Sequence, residues 1–141
     1  MTSIIETAYG ETAYGETVAA RLCTAIDALD EATERYQATG NDLLLVFRLR
    51  DEARRDVESR EDVLRAHHQN AIDQGKNEGA RRLFAAAKLA EDRMLTKLRE
   101  TAEGVERSYA RSERSHKNAS AEMLSLRVAI AGYAAVLGAV K

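Results

Sequence analysis

Two histidine placements and one cysteine are the first residues in this chain whose types and spacing could do chemistry. His67 and His68 are adjacent. With 3.6 residues per helical turn, neighbours project about 100° apart, so the pair cannot close well on one ion and is expected to face solvent. Glu113 and His116 have the Glu-x-x-His spacing used by di-iron helical bundles. Such a site needs a second copy of the motif and two further carboxylates inside the bundle, and the sequence offers one copy. No metal site is expected. His116 reads instead as a polar residue in a helical seam, where it fixes register and gives assembly a pH-responsive group. Cys23 stands beside an apolar seam residue, Leu22, with no histidine or basic niche nearby in sequence, so a buried, inert thiol is expected. There is no glycine-rich phosphate loop, no Ser/His/Asp set in a recognisable context and no paired-carboxylate pocket. The sequence therefore points away from an enzyme and calls for no cofactor.

The basic residues around the turn QGKNEG (74–79) say more. Lys76, Arg81 and Arg82 cluster there, and Arg65 and Lys88 follow one to three helical turns away. Cations held at the tip of a helical hairpin can reach an anionic lipid surface, each contributing about 1 kcal/mol near the headgroups. These five are the candidate membrane-contact residues.

The elements that must position them follow from composition. The chain has 141 residues, no Pro, no Trp and one Cys; 45% of it is hydrophobic, 31% charged and 5% aromatic. At the usual frequency of about 5%, some seven prolines would be expected. Without them helices can run unbroken, and so few aromatics disfavour a sandwich or barrel core. One cysteine allows no internal disulfide, which suits a reducing, cytoplasmic compartment. The start MTSIIETAYG has no basic region and no apolar core of a signal peptide. The last apolar stretch, 128–140, is too short to span a bilayer, so the sequence suggests a soluble chain able to sit peripherally on a membrane. Net charge is −2. Residues 1–40 hold seven acids and two bases, and residues 101–141 hold six bases and four acids. A nucleic-acid binder would show a basic excess, so none is expected as partner.

Along the chain, the tandem ETAYG repeat (6–15) places Gly10 and Gly15 where they weaken a helix. Residues 1–16 are expected to be a flexible leader and 17–141 a helical coiled-coil domain. Val18, Leu22, Ala25, Leu29, Ala32 and Tyr36 form a narrow seam on a first helix. Gly40, with Asn41 or Asp42 as cap, predicts a break before a second helix at about 42–73. A third helix is predicted from about Ala80 to Val140. In it Leu95, Ala102, Tyr109, His116, Met123, Ile130 and Leu137 recur every seven residues. Leu98, Val105, Ser112, Ala119, Leu126, Tyr133 and Val140 do the same three positions on. That heptad register predicts one continuous helix through His116–Ser120, about 90 Å long at ~1.5 Å per residue. Such a helix buries little alone. The fold expected is thus all-α, an elongated antiparallel three-helix coiled-coil bundle that forms a homo- or heterodimer. Its core seam comprises Leu95, Leu98, Val105, Tyr109, Met123, Leu126, Ile130, Tyr133 and Leu137.

Residues 43–71 (LLLVFRLRDEARRDVESREDVLRAHHQNA), the basic turn, and residues 90–137 together resemble the second and third helices of a BAR domain of the sorting-nexin, retromer-associated type. Glu106-Arg107-Ser108-Tyr109 and Tyr133 fill the places of that group's charged and aromatic positions. The resemblance implies an antiparallel curved dimer that senses or shapes anionic membranes in intracellular transport, peripherally on endosomes. Lys76, Arg81 and Arg82 would be its tip contacts, and Leu126, Ile130, Tyr133 and Leu137 part of its dimer core. The alternative from the same composition is a coiled-coil scaffold, adaptor or assembly protein acting only through protein partners.

Overall fold

A computed structural model describes the backbone of residues 4–139 and the side chains of residues 17–139. The fold is all-α. Helix α1 spans Ile4–His67, α2 Gln69–Asp73, α3 Glu78–Glu91 and α4 Arg93–Ala139. Contacts divide the chain into two units, residues up to 41 with those from 114 onward, and residues 42–113.

The helix boundaries differ from the sequence expectation in two places. The backbone is helical from Ile4, so the ETAYG repeat lies within α1. The side chains of the repeat, and Val140, lie outside the described residues. No break occurs at Gly40. Helix α1 passes through it, because the seam Tyr36, Thr39, Leu43, Val46 keeps its alternating steps of three and four across the glycine, and every one of these residues is half-buried. The predicted third helix is instead split at Asp92, whose backbone is extended (φ −80°, ψ 117°).

The turn between α2 and α3 falls where the glycines predicted it. Asn77, also extended, caps α3 by accepting the Ala80 N–H at 2.8 Å. A Cβ on Gly75 would stand 2.7 Å from Arg81 Cγ and 3.1 Å from the Arg81 nitrogen. Glycine is required there by this close approach, not by a left-handed backbone, since no residue has positive φ among those described.

Each unit is an antiparallel pairing of α1 with α4. In the first, Arg35 meets Glu122 at 2.6 Å and Thr39 meets His116 at 3.1 Å. Val18, Ala25, Ala32, Ala119 and Met123 are buried there. In the second, Arg54 meets Glu106 at 2.6 Å, while α2 packs on α3. Leu64, Leu89 and Leu95 form its core cluster, with Val57 against them. All thirteen described positions of the α4 heptad pattern are buried or half-buried. Helix α4 runs unbroken through His116–Ser120, as the heptad register predicts. The partner seam on α1, from Val18 to Leu64, belongs to the same chain.

Candidate functional site

The cations at the α2–α3 turn are only partly brought together. Arg65, Arg81 and Arg82 line one open groove with Gln69, Ile72 and Glu78; Lys76 and Lys88 do not line it. Most of these charges have near neighbours of opposite sign. Arg82 pairs with Glu78 at 2.6 Å, Arg65 with Glu61 at 3.9 Å and Lys88 with Glu91 at 3.4 Å. Arg81 Nε donates to the Gly75 carbonyl at 3.2 Å, and the Lys88 ammonium lies 5.5 Å from the Phe84 ring centre. Lys76 is exposed. Residues 60–92 hold six bases and six acids, so the segment around the turn carries no net charge from its carboxylates and cations.

Below the turn, sequence reading missed a polar knot. Asp92 accepts two hydrogen bonds from the Arg60 guanidinium, at 3.2 Å from Nε and 2.7 Å from Nη2. It also accepts the Leu95 N–H at 2.7 Å, which caps the start of α4. The Arg60 hydrogen bonds, helped by that backbone N–H, hold the Asp92 carboxyl below its ordinary value of 3.8. An acid whose folded pKa is depressed stabilises the fold fully above its unfolded value, and that contribution fades as pH falls through the folded pKa. Asp92→Asn is therefore expected to be less stable than wild type in urea unfolding at neutral pH. The gap should close as pH drops well below 3.8. A gap of equal size at neutral and strongly acid pH would show that the carboxylate charge is not what Arg60 holds. The signal was present in sequence as an Asp three residues before Leu95, a cap position.

Farther along the second unit, the Arg50 guanidinium lies 3.9 Å from the Tyr109 ring centre and 5.5 Å from that of Phe47. Arg50 occupies an α1 seam position and is half-buried. Stacking on rings lets a cation sit in a seam, while its stem covers apolar surface.

In the first unit, the His116 ring stacks on Tyr36 with centroids 4.6 Å apart and a 28° tilt. Its Nδ1 is 3.1 Å from Thr39 Oγ1, and a Cβ at Gly40 would stand 3.2 Å from its Cε1. His116 thus occupies a fitted niche against α1. His67 and His68 touch edge-to-face at 4.9 Å. No three His, Cys, Asp or Glu stand close enough to hold a metal among the described residues. Cys23 is exposed, not buried as expected. It falls one step past Leu22, and the two-helix seam covers only a narrow stripe, which Leu22 fills.

Several large apolar side chains remain uncovered. Leu44, Leu45, Phe47 and Leu49 are exposed in the second unit, and Ile26, Leu124 and Val128 in the first. Helix α4 also contains an 18-residue window of mean hydropathy 1.4, only 6% of it buried, long and apolar enough by composition to cross a membrane. Lys117, Glu122 and Arg127 confine that window to residues 118–139. The sequence expectation ends this stretch at Arg127, but a single charge leaves Met123, Leu124 and Leu126 in the same apolar window. No family model, no curated protein and no solved structure matches this chain.

Proposed function

We propose that this chain is a non-enzymatic helical scaffold or adaptor that works by offering coiled-coil surfaces to protein partners. The observation that carries the reading is the division of apolar residues. The seam residues of α1 and α4 cover one another within the chain, while Ile26, Leu44, Leu45, Phe47, Leu124 and Val128 stay exposed on outer faces. Large apolar side chains clustered at a surface mark interaction sites.

A second reading, a BAR-like dimer on curved anionic membrane, is favoured by the exposed Lys76, Arg81 and Arg82 at the turn. The six acids that share that segment weigh against it, because anionic headgroups repel them. Co-sedimentation with phosphatidylserine-containing vesicles separates the two. The chain is expected to stay in the supernatant at about physiological salt, where screening extends only ~8 Å. If it pellets with the vesicles, and K76E/R81E/R82E releases it, the membrane reading replaces the scaffold.

A further inference from the structure

We infer that the outer face of the first unit, built from Leu124, Val128, Ala131 and Ala135 of α4 and Cys23 and Ile26 of α1, is the docking surface for a second copy of this chain. The inference rests on the protein-contact reading and deepens it by naming the surface and the occupant.

The C-terminal part of α4 carries two apolar stripes. Met123, Leu126, Ile130, Tyr133 and Leu137 belong to the stripe directed at α1, and all are buried or half-buried. The second stripe, Leu124, Val128, Ala131, Ala135 and Gly138, advances by the same steps of four and three, and every member is exposed. Leu124 is 62% and Val128 66% exposed. A helix with two seams of coiled-coil spacing is built to contact more than one neighbour, and within the unit α1 fills only one of them. A Cβ placed on Gly138, in this stripe, would meet nothing within 4 Å, so the backbone is open to close approach there.

Helix α1 continues this face. Ala19, Cys23 and Ile26 each follow a seam residue by one position, and Ile26 is 43% exposed. In an antiparallel pair, positions just past the seam on both helices lie on the same side. Carrying the register on from Arg35–Glu122 and Thr39–His116 sets Ile26 level with about residue 130. The two apolar strips thus meet at one level of the unit.

Charge selects the occupant. Residues 17–41 of α1 carry Asp27, Asp30, Glu31 and Glu34 against Arg21 and Arg35. Residues 114–139 of α4 carry Arg114, Lys117 and Arg127 against Glu122. The two helices have opposite net charge. A twofold-related copy that sets its α1 beside this α4, and its α4 beside this α1, is complementary along both lines of contact. An anionic lipid surface would complement the cations of α4 and leave the acids of α1 opposed to like charge.

Sedimentation equilibrium tests this on the full chain. Wild type at tens of micromolar is expected at twice the 15.6 kDa chain mass. L124E/V128E, helical by circular dichroism, should weaken self-association by at least about a hundredfold, as loss of two central anchors does. V63E, an exposed position on the other unit, should leave it unchanged. A wild-type monomer overturns the inference. So does a dimer that survives L124E/V128E, which removes this surface while leaving the protein-contact reading in place. Vesicle binding lost in L124E/V128E would make the face a lipid contact and overturn both.

Discussion

Leu95→Ala is expected to lower stability by about 3 kcal/mol, the middle of the range for emptying a closed apolar site. Leu95 has 0% exposure, and is the one large side chain fully buried among the described residues. Its neighbours Leu64 and Leu89 are themselves 8% and 7% exposed, and they sit on α1 and α3. One side chain therefore joins three helices at the point where α4 begins. Alanine is the better helix former, so a loss must come from packing and not from the helix. For a chain of this size the change corresponds to roughly a 10 °C drop in melting temperature, followed by circular dichroism. Leu83→Ala is the control: Leu83 is 75% exposed, and its replacement should stay within about 0.5 kcal/mol of wild type. A Leu95→Ala protein that loses less than the control would show that the cluster is not what fixes α3 and α4 against α1.

The helical class and the α4 seam were legible because a heptad pattern is a strong periodic signal that few other structures share. What the sequence hid was where helices end. Gly40 followed by Asn41 and Asp42 has the composition of a stop and a cap, yet α1 runs through it. The decisive signal was the seam itself. From Val18 to Leu64 its steps of three and four never skip, although Thr39, Arg50 and Arg60 interrupt its apolar character. Counting those residues as polar made the seam look as if it stopped at Tyr36. Their partners are long-range: His116 for Thr39, Tyr109 for Arg50, Asp92 for Arg60. The Asp92 break was visible in the opposite way. Extending the α4 register backward from Leu95 and Leu98 meets Glu91 and Lys88, so the heptad pattern begins at Leu95. The charged turn was legible as a turn. Its electrostatics were not, because i,i+4 pairs such as Arg82–Glu78 require the helix boundary at Glu78 to be known.

Gly40 gives the second large effect, because a helix-interior glycine has to be explained by what it touches. Glycine there costs about 1 kcal/mol relative to alanine, and nothing in the backbone geometry calls for it. The explanation is His116, whose Cε1 would stand 3.2 Å from a Cβ at position 40. That ring cannot slide away freely, since Tyr36 stacks on it and Thr39 holds Nδ1. Gly40→Ala should therefore be nearly neutral, its helical gain offset by the crowded ring. Gly40→Leu should cost about 2 kcal/mol through overpacking. In a His116→Ala background the obstruction is gone, and Gly40→Ala should now stabilise by about 1 kcal/mol. A double-mutant cycle with leucine at position 40 should show a coupling of at least ~1 kcal/mol, the size expected of residues in direct contact. Urea unfolding of the four proteins measures it. If the effects of Gly40→Leu and His116→Ala simply add, then the glycine is not there for the histidine.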